Sequence, residues 1–168
     1  MKKRIFTITF LLITTLTWCQ IGIGKSYVDG DGILDFSINP IGGIILPAVT
    51  TLPTGAGATN GTLLYDYNNK NIKIRVNNSW KAYTIENGNN SQINLNTSTD
   101  IGDGIIIGNS TSSADGVLIL ESSSKALILP KIDRPHLNIT NPYPGTICYD
   151  TYNKSLAVFD GSKWYFWK

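Results

Sequence analysis

The sequence predicts a mainly β protein built of two tandem repeats, each ending in a three-stranded antiparallel meander, with an elongated build and a helix only in an N-terminal signal segment. Three observations predict it. Residues recur at one spacing: Tyr65 and Tyr149, Asp66 and Asp150, Lys70 and Lys154, and Trp80 and Trp164 each lie 84 positions apart. Apolar residues alternate with polar ones, so that Ile72, Ile74 and Val76 face one way while Lys73 and Arg75 face the other. After Gln20 no stretch of useful length carries apolar residues at helical spacing, and Gly, Asn and Pro interrupt the apolar runs instead.

The repeat reaches upstream of the meanders. The stretch IGIGKSYVDGDGIL from Ile21 aligns with IIIGNSTSSADGVL from Ile105, pairing Gly24 with Gly108, Asp31 with Asp115 and Gly32 with Gly116. The segments IILP and LILP then pair Pro47 with Pro130 at 83, so one residue was gained or lost nearby. A single offset that also carries rare tryptophans argues for duplication rather than chance. The boundaries read as a signal peptide over 1–19, a first β repeat over 20–84, a polar Asn- and Ser-rich linker over 85–104 and a second β repeat over 105–168. The alternative for 85–104 is a set of short exposed strands.

Within the first repeat the strands are expected at Leu63–Tyr65, Ile72–Val76 and Trp80–Tyr83. The counterparts are Ile147–Tyr149, Leu156–Phe159 and Trp164–Trp167. Asp66 and Asp150 open turns in which an aspartate accepts from backbone amides ahead of it, and Asn69 and Asn153 tolerate left-handed backbone there. Asn77–Asn78 and Asp160–Gly161 are the second turns. Tyr65, Ile74 and Trp80 are expected to form one local core, and Tyr149, Val158 and Trp164 the other. GGIILPAV and KALILPKI read as extended edge segments ended by proline. TLPTGAGATN and DRPHLNITNPYP read as loops.

The first 19 residues begin with Lys2, Lys3 and Arg4 and continue with an apolar run too short to span a bilayer. This is the pattern of a secretory signal, and cleavage after Cys19 would leave Gln20 first. The alternative is a lipoprotein signal that retains Cys19 as an anchor. Of the 14 basic and 12 acidic residues, three basic and no acidic ones fall in this segment, which leaves 11 against 12 and a net charge of −1. No basic stripe remains to follow a phosphate backbone, so nucleic acid is excluded as a partner. No transmembrane span is expected in the mature chain. Cys148 aligns with Leu64 and reads as a small buried apolar residue.

The order IGIG, DGIL, ILP and GTLLYDYNNKNIKI before a tryptophan resembles a β-repeat module of exported bacterial surface-fibre and phage tail-fibre-like proteins. The second copy carries the motif at Gly145, Tyr149, Asp150, Thr151, Asn153, Lys154, Leu156, Phe159, Asp160, Gly161 and Trp164. The first departs at its last turn, where Asn77 and Asn78 stand for Asp-Gly. The motif is made of turn and core residues, so it marks architecture and setting rather than chemistry. The resemblance implies an elongated, non-enzymatic, self-associating and often trimeric protein. Short strands and uncovered sheet edges point the same way. The alternative is that both repeats close into one compact monomeric β domain.

No catalytic, cofactor or metal site is expected. GIGKS lacks the strand and helix that a phosphate loop requires. His136 is the only histidine and sits in a Pro-rich loop without triad partners. Asp29, Asp31, Asp100 and Asp103 stand beside glycines as turn residues, and only Asp31 recurs, as Asp115. The terminal KWYFWK exceeds the repeat. Trp164 matches Trp80, whereas Tyr165 and Trp167 fall on the opposite face of the strand and are the candidate contacts for a partner or a glycan. The functional expectation is an exported structural or adhesive cell-surface protein. Its alternative is a secreted monomeric carbohydrate-binding module that uses Tyr165 and Trp167.

Overall fold

A computed structural model describes residues 20–38, 40–85, 87–98 and 104–168. The expected signal segment with Cys19, and Asp100 and Asp103, lie outside them. The fold is mainly β: short strands in four sheets, stacked into an elongated body.

The first layer is parallel. Strand β1 (Ile21–Ile23) lies beside β2 (Gly32–Phe36), with Ile21 opposite Leu34. Strand β8 (Ile105–Ile107) lies beside β9 (Leu118–Leu120), with Ile105 opposite Leu118. The two registers are related by the 84-residue offset. Ile33 and Leu34 pack on Ile107 across these pairs, with Phe36 and Leu120 at the margin.

The second layer holds the meanders. In the first, β5 (Leu63–Asp66), β6 (Asn71–Val76) and β7 (Ser79–Ala82) run antiparallel, and β4 (Ala48–Val49) is added in parallel to the β5 edge. In the second, β12 (Thr146–Asp150), β13 (Ser155–Phe159) and β14 (Trp164–Trp167) run antiparallel, and β11 (Lys131–Ile132) is added in parallel to β12. Arg75 pairs with Trp80 and Phe159 with Trp164. The parallel fourth strand comes directly after each Leu-Pro. Proline breaks the apolar run into two short strands, β3 (Ile44–Ile45) and β4 in one case, β10 (Ala126–Leu127) and β11 in the other.

Those upstream strands reach in different directions. β3 pairs antiparallel with β12, placing Ile44 opposite Ile147, whereas β10 pairs in parallel with β2. Glycine decides the first contact. A Cβ at Gly43 would stand 2.5 Å from the Ile147 carbonyl oxygen and 2.7 Å from the Thr146 methyl. The corresponding residue is Ala126, the first of β10, which carries that Cβ, and β10 goes elsewhere.

The two meanders share one core. Tyr65 and Ile72 from the first pack with Ile147 and Val158 from the second, and Leu46 and Ile93 lie between them. Ile93 belongs to the polar stretch 87–98, which is tied to both sheets: Gly88 donates its N–H to the Lys70 carbonyl at 2.7 Å, and Asn89 donates to the Asp160 carbonyl at 3.1 Å. A second cluster of Ile132, Ile139, Cys148 and Ala157 covers the other face of the second meander.

Both turns and loops differ in detail from expectation. Asp66 Oδ1 accepts from the amides of Asn68 and Asn69, and Asp150 Oδ1 from those of Tyr152 and Asn153. The left-handed residues are Lys70 and Lys154, at φ 52° and 56°, one position beyond Asn69 and Asn153. The asparagine side chains instead donate to the second aspartate oxygen, at 2.6 Å and 2.7 Å. In the second turns Asn77 and Asn78 are both left-handed, and Gly161, at φ 94°, stands at the place of Asn77. Helix occurs after Gln20, contrary to expectation: the two loops carry a 3-10 turn at Gly55–Ala58 and a single helical turn, α1 (Pro135–Asn138). Proline at the first helical position of α1 fixes a compatible φ and leaves no N–H to satisfy.

Candidate functional site

The meander registers place Trp80 and Trp164 on the side of their sheets away from the shared core. Trp80 sits opposite Arg75, and residues one step along the strand from Arg75, such as Ile74, point to the other face. Tyr65 therefore lies in the core between the sheets and Trp80 outside it. Trp80 Nε1 donates to the Pro53 carbonyl at 3.3 Å, and the Arg75 guanidinium lies 5.6 Å from the centre of its ring. On the same outer face Lys73 pairs with Asp66 at 3.0 Å. Burial alone would push the Asp66 carboxyl up; hydrogen bonds from Asn69 and Lys73 hold it below its ordinary value instead.

The second meander has an apolar outer face. Ala157 and Phe159 stand where the first has Lys73 and Arg75. Trp164 packs half-buried against Ile132, Ile139, Cys148 and Ala157, and its ring is 5.3 Å from that of Phe159. Burial pushes the Cys148 thiol up to about 12, so it is a packed, unreactive group at neutral pH. Burial likewise favours the protonated form of Asp150, but bonds from Asn153, Tyr152 and the Arg134 N–H outweigh it and hold the carboxyl low. Tyr149 is half-buried, while its counterpart Tyr65 is fully buried and donates its hydroxyl to the Asp160 carbonyl at 3.1 Å. Burial, with Asp160 and Asp66 nearby, raises the Tyr65 phenol to about 12.

At the C-terminal strand the rings split by face. Trp164 and Phe166 share the outer side, where Phe166 is 40% exposed and meets His136 edge-on at 5.9 Å. Tyr165 and Trp167 share the inner side and stack at 5.8 Å. Trp167 also stacks on Tyr83 of the first meander at 3.9 Å. The three rings form a ladder that joins the sheets, with the Lys163 ammonium 5.5 Å from the Tyr165 ring. Trp167 therefore has a neighbouring ring in close stacking contact, and it is Tyr83 that lies nearest. The expected strand Trp80–Tyr83 includes Tyr83, but the sequence holds nothing local that joins residues 83 and 167.

Among the described residues no group of His, Cys, Asp and Glu could hold a metal ion, and no helix is long and apolar enough to cross a membrane. The parallel layer exposes several apolar residues. Ile105 and Leu118, directly opposite each other, are 63% and 45% exposed, and Ile21 and Ile23 of β1 are exposed as well. A sheet face that leaves branched aliphatic residues exposed is a surface suited to another protein chain rather than to a small polar substrate.

No curated protein and no solved structure matches the chain. Residues 106–168, which take in β9 to β14, match the family described as the phage tail like trimerisation region. Over those residues the chain is thus similar to a structural, tail-fibre-like module.

Proposed function

We propose that the protein is an exported, non-enzymatic structural or adhesive component of the cell surface that self-associates as a homotrimer. The observation that carries this reading is the similarity of residues 106–168 to a trimerisation region. The parallel layer supplies the physical support. Ile105, Leu118, Ile21 and Ile23 leave apolar surface in water on short parallel strands, and burying such surface stabilises by about 25 cal/mol per Å². Export to the cell surface rests on the signal pattern of residues 1–19. The reading as a monomeric carbohydrate-binding module uses Trp167 as a stacking platform, and that ring is already stacked on Tyr83 at 3.9 Å.

Native mass spectrometry tests the proposal. The expected species has three times the chain mass, and replacing Ile105 and Leu118 together by lysine should convert it to single chains that keep their β circular-dichroism signal. A wild-type monomer at micromolar concentration sinks the trimer reading. A monomer that is also retarded on polysaccharide gels, with the retardation lost in Trp167→Ala, puts the carbohydrate module in its place.

A further inference from the structure

The connection from β1 to β2 carries a set of side chains that this local fold does not require. The Lys25 Nζ lies 2.6 Å from Asp35 Oδ2 and 2.8 Å from Asp29 Oδ2, and the Lys25 and Asp35 side chains are only 8% and 2% exposed. Asp35 Oδ2 accepts the Asp29 N–H, and Asp35 Oδ1 accepts the Phe36 N–H, both at 2.8 Å. The Tyr27 ring lies 5.1 Å from the ammonium. The β8–β9 pair adopts the same register with none of these groups: the positions 84 residues on are Asn109, Ser113 and Ile119. A buried ion pair is seldom more stabilising than the apolar residue that could replace it. The repeat itself makes that replacement, with Ile119 at the position of Asp35.

We propose that Lys25 and Asp35 condense to an isopeptide bond, with Asp29 carrying the proton. The neutral Lys25 Nζ attacks Asp35 Cγ. The Phe36 N–H, already bonded to Oδ1, holds the oxyanion of the tetrahedral intermediate. Asp29 takes a proton from Nζ and delivers it to Oδ2, which leaves as water. One C–N bond forms, one C–O bond breaks, and one water is released, so no oxidant, reductant or cofactor is needed. The pair rests as ions: the bonds to Asp29 and Asp35 raise the Lys25 value, and although burial pushes Asp35 up, the Asp29 amide, Lys25 and the Phe36 amide hold it low. The reactive form arises when one proton crosses from Nζ to the carboxylate it already touches. A reaction that happens once per molecule tolerates a rare reactive form. Holding amine and carboxyl in contact is also worth an effective concentration on the order of 10⁵–10⁸ M.

The experiment is intact and tryptic mass analysis of the folded full chain after incubation at neutral pH. The expected product is one water lighter than its own sequence, resists trypsin after Lys25, and yields a peptide in which Lys25 and Asp35 are joined. Lys25→Arg keeps the cation but cannot condense, and should show the full mass while remaining folded. Asp29→Asn should slow the loss of water at least tenfold. A wild-type chain that keeps its full mass and is cut after Lys25 overturns the proposal. So does a loss of water that persists in Lys25→Arg, because that is the signature of a succinimide at an Asp-Gly pair such as Asp29–Gly30.

Discussion

The two meanders are the same scaffold turned to different ends. Strand order, register and the aspartate turns correspond residue for residue at an offset of 84. Their inner faces meet in one core. Their outer faces diverge: Lys73, Arg75 and Trp80 in the first against Ala157, Phe159 and Trp164 in the second. In the second, the chain around Ile132 and Ile139 closes over the apolar surface. In the first, Trp80 bonds the Pro53 carbonyl and an arginine lies over its ring. The lesson is that turn and inner-face residues specify a meander, while its outer face is free to be either a second small core or a polar surface.

The sharpest way to break the correspondence is at the tyrosines. Tyr65→Ala should destabilise by about 3–5 kcal/mol, the range for a fully buried aromatic, and it also leaves the Asp160 carbonyl without its hydroxyl donor. Tyr149→Ala, at the equivalent but half-buried position, should cost about 1–2 kcal/mol. Urea unfolding measures both, and equal losses would mean that the two inner faces are not used unequally.

Next in size is the crossing strand. Gly43→Ala puts a methyl group against the Ile147 carbonyl and the Thr146 side chain. It should cost about 1–3 kcal/mol through the shift it forces. Ala126→Gly, at the matching place in β10, should change stability by less than about 1 kcal/mol. If the two substitutions cost the same, glycine is not what sends β3 to β12.

The smallest effect concerns the shared turns. Asp66 and Asp150 both titrate below their ordinary value of 3.8 in the folded chain. The unfolded chain therefore takes up protons first as pH falls. The stability these carboxylates contribute is complete above about pH 5 and is lost as pH drops through the folded values. In chemical denaturation between pH 6 and pH 3, Asp66→Asn and Asp150→Asn should each start less stable and lose less toward acid. An acid limb identical to wild type in both variants would show that the turn carboxylates do not set it.

Much of this was legible in the residues. Alternation at Ile72, Ile74 and Val76 marks a strand, and Asp66 with Asn69 and Asn77 with Asn78 mark turns, because each signal acts over a few residues. The two-residue turn at Asn77–Asn78 also fixes Arg75 opposite Trp80, so the outward position of that tryptophan could have been counted off. What stayed hidden acts over long separations. Nothing near Ile44 announces a partner at Ile147, and parallel pairs such as β1 with β2 have no turn to set their register. Ile93 reads as an isolated apolar residue in a polar stretch, and only the gap between two sheets makes it core. Of the aromatic end, the face alternation was readable from strand geometry, whereas the stacking of Trp167 on Tyr83 depends on how the sheets meet.

The pairing of β3 with β12 also bears on how the molecule comes into being. Residues 44 and 45 must wait for residues 146 and 147, so this sheet edge cannot close until the chain beyond Ile147 has left the ribosome. Contacts so far apart in sequence are reached slowly, because the loop must be closed before the contact repays it. Until then the inner face of the first meander, with Tyr65 and Ile72, stands uncovered and adhesive. The nascent chain therefore has a vulnerable interval set by the length of chain between the two strands, and a holding chaperone that binds extended apolar strands would act on this protein early and release it late.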